Sequence, residues 1–127
     1  PILEEDIALA NIALDLVGQS ALLLKLAGEL EGQGRDEDAL AYLRDSTQFR
    51  NQLMVELPKG DFACTIVRQF LFGVQAFLQL EGLARSAHPD LAGIAAKALK
   101  ETRYHVRHAG EWVIRLGDGT EESHRRA

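Results

Sequence analysis

The sequence is poor in the residues that build disulfide frameworks and turn-rich folds. Its 127 residues include one cysteine, three prolines and one tryptophan. A single thiol, Cys64, cannot form an internal disulfide, and this cysteine usage is typical of a reducing compartment. We therefore expect a cytoplasmic protein whose stability comes from packed secondary structure.

An excess of basic residues is also absent. Asp and Glu number 19 against 14 Lys and Arg, which gives a formal net charge of -5. Nucleic-acid-binding domains usually carry a basic face, so we expect no nucleic-acid partner. The sequence also lacks a P-loop, a dinucleotide-type glycine fingerprint, a Cys-x-x-Cys pair and a His-Glu-x-x-His motif, which removes the commonest nucleotide and zinc sites.

The residues that are abundant favour helices. Ala and Leu, the strongest helix formers, dominate long stretches, and no strand-like alternation or internal repeat is present. The sequence predicts long helices over residues 6–30, 61–86 and 89–116, a short helix over 37–46 with Asp36 or Asp38 as its N-cap, and a further helix beginning within 120–127. Long helices with short connections pack antiparallel, so residues 1–127 are expected to form one all-α helical bundle domain.

The first predicted helix is apolar on most of its faces. Between Asp6 and Glu29 its only charges are Asp15 and Lys25. Such a helix is expected to be buried by several neighbours, and its interior charges disfavour a membrane span. Three helices of this kind leave much apolar surface, which requires a fourth long helix from a longer chain, from a partner, or from a second copy by self-association.

Five polar residues interrupt the apolar helices: Asn11, Asp15, Arg68, Thr102 and His105. A buried charge is costly unless it is paired, so we expect Asp15 to pair with Arg68 or His105. Two interpretations remain open. The favoured one is that these residues satisfy one another and fix helix register; the other is that they mark the level at which a helical bundle once held a metal.

A complete metal site cannot be built from these helices. Bundles that hold two metals through carboxylates use one Glu from each of two helices and a Glu-x-x-His pair from each of the others. Here Gly18 follows Asp15 at that spacing, and Thr102 precedes His105. The pair His105 and His108 lacks a third ligand. We therefore expect no catalytic, cofactor-binding or metal-ligating residue.

The remaining candidate side chains receive bland interpretations. Cys64 is expected to be a small core residue at a helix start. His88 lies in a turn and His124 lies near an end of the sequence, so both are expected to be solvated.

Several distinctive segments resemble the C-type members of the bacterial phenylacetyl-CoA epoxidase subunits. These segments are residues 6–19, 36–42, 51–58, 100–107 and 115–120. The resemblance extends over nearly the whole sequence, and members of that family are considerably longer. The chain is therefore expected to correspond to the central part of such a subunit.

The resemblance implies a ferritin-like bundle in a multicomponent monooxygenase. In that family an A-type sister subunit carries the di-iron centre and the chemistry, whereas the C-type subunit lacks the ligands and pairs with its sister. Against the sister subunit, Asp15 and Gly18 fall where Glu and His would be, Thr102 falls on the second Glu, and His105 is retained. The complex epoxidises the ring of phenylacetyl-CoA, using oxygen and electrons from NADPH, in phenylacetate degradation.

The function expected from these observations is that of a non-catalytic structural subunit, with no cofactor of its own and di-iron in its partner. The alternative is a metal-dependent ferritin-like oxygenase subunit that is itself active.

Overall fold

The computed structural model describes residues 2–127, which are mostly helical and contain no strand. The elements are α1 (Leu3–Glu31), α2 (Glu37–Tyr42), two 3-10 turns (Ser46–Gln48 and Leu53–Glu56), α3 (Phe62–Leu83), α4 (Pro89–Gly117) and α5 (Glu121–Arg126). The all-α prediction and the three long helices are confirmed.

The short second helix ends earlier than the sequence predicts. It stops at Tyr42 instead of reaching residue 46, because the side chain of Asp45 accepts hydrogen bonds from Thr47 and starts a separate 3-10 turn. Its beginning is as expected. The Asp36 carboxylate accepts a 2.8 Å hydrogen bond from the backbone N–H of Ala39, so Asp36 is the N-cap.

The chain divides into two compact units. One contains the residues up to Arg50 together with Leu83–Ala98, and the other contains Asn51–Gly82 together with Leu99–Ala127. Helix α4 contributes its first part to one unit and its remainder to the other. The expectation of a single domain over residues 1–127 stays a prediction.

In the first unit, α2 packs against the carboxyl-terminal end of α1. A left-handed Gly32 ends α1, and the chain then turns so that Leu40 is buried. Gly28 makes this corner possible, because a Cβ there would lie 2.1 Å from the carbonyl oxygen of Arg35. A salt bridge of 2.7 Å between Glu31 and Arg35 spans the same corner.

In the second unit, α3 and α4 run antiparallel. Phe62 at the start of α3 makes an edge-to-face contact with Trp112 near the end of α4, with ring centroids 5.1 Å apart. Further along α3, Gly73 faces Val106, where an added Cβ would lie 3.2 Å from the valine side chain. Ile66 is the largest apolar side chain that is fully buried.

The burial of α1 differs from the sequence-based expectation. Only Ile12, Leu26 and Gly28 are buried among its 29 residues, so the expectation that several neighbours cover this helix is wrong for residues 2–127. Within that same range, the only helix that covers its opposite face is the six-residue α2, which reaches no further than its carboxyl-terminal end.

By length and composition alone, α1 and α3 could each cross a membrane. This is weak evidence, because the core helix of a soluble protein passes the same test. The absence of a membrane partner stays a prediction.

Candidate functional site

The buried face of α4 carries the two buried polar side chains of the described residues. Thr102 is 2% exposed and His105 is 1% exposed. They are three residues apart, so they lie one turn apart on one side of the helix. Ala109 is fully buried on the same side, and Ala95 and Ala98 extend the buried side toward the start of α4.

Small residues on this face explain how a polar pair is buried. Alanines at the neighbouring turns let the packed surface approach the α4 backbone closely, which removes water from Thr102 and His105. Buried hydroxyl and imidazole groups need hydrogen-bond partners, and His105 does have an interaction partner within the fold. Both groups have therefore lost their contact with bulk water, as the sequence predicted for these two positions.

The other three candidate positions differ in burial. Asp15 is half-buried and has an interaction partner, whereas Asn11 is exposed, in contrast to the expectation. The reason is rotation along α1. Ile12 faces the core, and one residue in an α-helix turns the side chain by about 100°, which carries Asn11 off the buried face.

Arg68 has a partner that the sequence did not suggest. Its guanidinium Nη2 donates to the backbone carbonyl of Pro58, in the loop that precedes α3, and its Nε is buried without a hydrogen bond. The expectation that Arg68 pairs with Asp15 is therefore replaced by a role in fixing the loop to α3. The alternative partner for Asp15, His105, stays a prediction.

The five positions do not form one cluster within a single unit. Asn11 and Asp15 belong to the first unit, and Arg68, Thr102 and His105 belong to the second. Only Thr102 and His105 are adjacent on one helix face.

The side chains present do not fit a di-iron centre. Within residues 2–127, no group of three or more His, Cys, Asp or Glu side chains is arranged to hold a metal ion. Carboxylate oxygens and imidazole nitrogens bind such irons, whereas Gly18 has no side chain and Thr102 offers a neutral hydroxyl. The interpretation that these helices cannot supply a complete ligand set rests on these residue types.

Three other side chains have roles that differ from the sequence-based interpretation. Cys64 is exposed, not a core residue. The imidazole Nδ1 of His88 accepts a 3.3 Å hydrogen bond from the N–H of Leu91, so this half-buried histidine caps the start of α4. His124 Nδ1 lies 2.8 Å from the carbonyl oxygen of Gly117 and connects α5 to the end of α4.

An ion-pair network that the sequence analysis did not identify connects α5 to the start of α3. Arg126 lies 3.0 Å from the carboxylate of Asp61 and 2.6 Å from that of Glu122. The pKa of Asp61 is lowered, first by the N–H of Cys64, which donates a hydrogen bond to it, then by the Cys64 side chain and by Arg126. The contact joins residues 65 positions apart, so no local sequence pattern would have revealed it.

The comparisons with known proteins bear on this arrangement. The family described as Phenylacetic acid catabolic protein matches residues 1–127. The chain belongs to that family. The phenylacetic acid catabolic protein family thus accounts for the entire sequence, and with the helical structure it confirms the expected all-α, ferritin-like fold.

A relative within reach of direct comparison is the C-type subunit of the 1,2-phenylacetyl-CoA epoxidase of Escherichia coli (strain K12). It is 51% identical over 123 residues, which are 97% of this chain and 49% of that protein. The chain therefore spans about half the length of the curated relative it matches. The resemblance to the C-type subunit of an epoxidase is confirmed at the level of sequence.

Proposed function

We propose that the chain is part of a structural, non-catalytic subunit of a phenylacetyl-CoA epoxidase complex. In this role it pairs, in the cytoplasm, with a ferritin-like sister subunit that holds the di-iron centre. It contributes no metal ligand and no cofactor, and it keeps the helices of the catalytic partner in register.

The observation that carries this proposal is the pair Thr102 and His105. The family resemblance gives Glu-x-x-His at this place in the metal-bearing subunit, and here a buried threonine stands at the first position. A threonine hydroxyl at 2% exposure cannot replace the bridging or terminal carboxylate of a di-iron centre without a large loss of negative charge. Membership of a phenylacetic acid catabolic family and the name of the relative support the choice of complex.

A structural role makes physical sense for a bundle without metal. Active-site side chains must be held to within about 0.5 Å of the productive geometry, and a rigid helical partner provides such support. Standard interfaces bury about 1,200–2,000 Å² in total and obligate ones more. A helix as apolar and exposed as α1 is available for contacts of this kind.

The test uses His105, the one retained ligand position. The wild-type chain and its His105→Gln variant are each co-expressed with the metal-bearing sister subunit, and the purified complexes are analysed for iron and for turnover of phenylacetyl-CoA. We expect the same iron content and turnover within about twofold, because a change smaller than RT is not a lost ligand. Thermal unfolding of each complex controls for folding, and His124→Gln is the matched exposed control.

Two results would contradict the proposal. One is stoichiometric iron that stays bound to this chain when it is purified alone. The other is a loss of iron and turnover in the His105→Gln complex that the His124→Gln complex does not show, which would favour a subunit that is itself active.

A further inference from the structure

Helix α1 carries a continuous apolar row on the side opposite its buried face. The row advances in steps of four and three residues, which is the heptad spacing of helices that pack side by side. Its large members are strongly exposed: Leu3 by 69%, Ile7 by 51%, Leu14 by 68% and Val17 by 66%. We call this row the α1 seam; it consists of Leu3, Ile7, Ala10, Leu14, Val17 and Ala21.

The α1 seam leads directly into a surface that already packs a helix. Beyond Ala21 the same spacing continues to Leu24 and Gly28, and there α2 covers the row. Between α1 and α2 lies an open, mainly apolar groove of about 320 Å³, whose walls include Val17, Ala21 and Tyr42. One end of the row is therefore covered by a helix of this chain, and the other end is open.

We propose that a second copy of this chain covers the α1 seam, with the two α1 helices antiparallel and Leu3 of each copy in the α1–α2 groove of the other. A two-fold axis between Ala10 and Leu14 aligns the two rows. It places Leu3 opposite Ala21, Ile7 opposite Val17, and Ala10 opposite Leu14. Because the axis repeats each pairing, the same six side chains form both halves of the contact.

The sizes of the paired side chains favour this alignment. In two of the three pairings a leucine meets an alanine, and the third joins two β-branched residues. A large side chain opposite a small one lets two helices interdigitate without voids or overlap. Leu3 faces Ala21, which lines the groove, so the groove receives a side chain of suitable size and polarity.

Charge selects the antiparallel orientation. The first turn of α1 carries Glu4, Glu5 and Asp6, and a parallel pair would bring two such clusters together. The antiparallel pair separates them. It also brings Lys25 of one copy to about 8 Å along the axis from Glu4 of the other, a distance that these two long side chains can span to form surface ion pairs.

The first experiment is the oligomeric state of the 127-residue chain, measured by light scattering after gel filtration over a hundredfold range of concentration. We expect the mass to rise from 14.0 kDa toward twice that value, with a dissociation constant in the micromolar range because the contact is short. Leu14→Glu places a charge in the middle of the α1 seam and should weaken the dimer at least about tenfold. Leu78→Glu changes a leucine of α3 that is 62% exposed and should leave the dimer unaffected.

A cross-linking experiment tests the orientation. In a Cys64→Ser background, Ile7→Cys chains are mixed with Val17→Cys chains under mild oxidation. The antiparallel pair predicts a disulfide between the two kinds of chain, because bridged Cα atoms must lie within about 7 Å. Ile7→Cys chains alone should link poorly. Circular dichroism and thermal unfolding of each variant show whether it remains folded.

Three outcomes would overturn the proposal. One is a wild-type chain that stays monomeric over the whole concentration range. Another is a dimer that Leu14→Glu and Leu78→Glu weaken equally, or that cross-links through Ile7→Cys alone. The last is a monomer that sediments with phosphatidylcholine vesicles through Leu14, which would assign the α1 seam to a lipid surface.

Discussion

Helices α1 and α4 both have 29 residues, yet they bury very different surfaces. Charges recur along the whole of α4 and confine its buried residues to one face, which carries Thr102 and His105. In α1 the charges gather at the ends, apolar residues occupy most faces, and large side chains such as Leu14 remain exposed. An apolar sequence thus predicts a need for cover, whereas an amphipathic sequence also predicts which face is covered.

The comparison separates two kinds of information. The regular spacing in α4 specifies its buried face within this chain, because the polar residues exclude every other face. The sequence of α1 specifies no single face, so its cover depends on what else is available: α2 at one end and, as proposed above, a second copy along the α1 seam. Substitutions at matched positions of the two helices can test this difference.

The largest effect is expected from a charge in the buried face of α4. Ala109 is 0% exposed, and Ala109→Asp would bury an unpaired carboxylate, at a cost of about 3–5 kcal/mol. Ala13→Asp on an exposed part of α1 should change the free energy of unfolding by less than about 0.5 kcal/mol. Chemical denaturation measures both variants.

Because Ala109→Asp can prevent folding altogether, Ala109→Leu provides a milder version. Overpacking by three carbon atoms should cost about 1–3 kcal/mol, and Ala13→Leu is its control. Equal effects at the two positions would mean that α4 has no more cover than α1.

A smaller contrast lies within α1, between Gly28 and Gly18. A Cβ at Gly28 would meet the Arg35 carbonyl at 2.1 Å, and backbone cannot move aside cheaply, whereas nothing lies within 4 Å of a Cβ at Gly18. Gly28→Ala should therefore destabilise the fold by about 2–3 kcal/mol. Gly18→Ala should stabilise it by up to about 1 kcal/mol, since alanine is the better helix former.

Thermal unfolding of the two glycine variants distinguishes the sites. If Gly18→Ala is as damaging as Gly28→Ala, then Gly18 has a close neighbour that the structure does not show. If both are neutral, the packing of α2 on α1 is looser than the structure indicates.

Much of the fold was predictable from sequence, and the failures have common physical causes. The long helices follow from Ala- and Leu-rich stretches ended by glycine and proline, and the Asp36 cap follows from a local rule. The burial of Thr102 and His105 also follows from periodicity. Asn11 was misplaced because several faces of α1 are apolar enough to be the buried one, so the pattern does not select among them.

The polar contacts of the site could not be predicted for a different reason. Arg68 donates to a backbone carbonyl, Pro58, and every residue carries a backbone carbonyl. The contact between Asp61 and Arg126 joins distant parts of the sequence. Hydrogen bonds of this kind depend on how loops close, and neither composition nor spacing records that.

A moderate effect is expected at Asp15, the polar residue of α1 that is half-buried and engaged with a partner. Asp15→Ala should cost about 1–2 kcal/mol, less than a fully buried pair, because water still reaches part of the carboxylate. Asp15→Leu should cost little, since it replaces the carboxylate with apolar volume. Asp6→Ala, in the exposed first turn, is the control, and an unchanged melting temperature for Asp15→Ala would contradict the pairing.

The smallest effect concerns the exposed network that connects α5 to the start of α3. The hydrogen bond donated by the N–H of Cys64, followed by the Cys64 side chain and Arg126, lowers the pKa of Asp61. The hydrogen bonds from Arg125 and Arg126 lower the pKa of Glu122. A carboxylate with a lowered pKa in the folded chain stabilises the fold above its ordinary titration range, and the stabilisation is lost as the pH falls through the folded pKa.

The expected consequence is a small acid sensitivity that depends on Asp61. The melting temperature of the wild type should exceed that of Asp61→Asn near neutral pH, and the two should converge as the pH falls below the ordinary carboxyl range. Asp118→Asn, an exposed aspartate after α4, should follow the wild type at every pH. A difference between wild type and Asp61→Asn that persists unchanged into acid would mean that the carboxylate charge is not what holds α5 to α3, and the neutral hydrogen bonds of Ser123 to Leu116 and Thr120 would then be the stronger attachment.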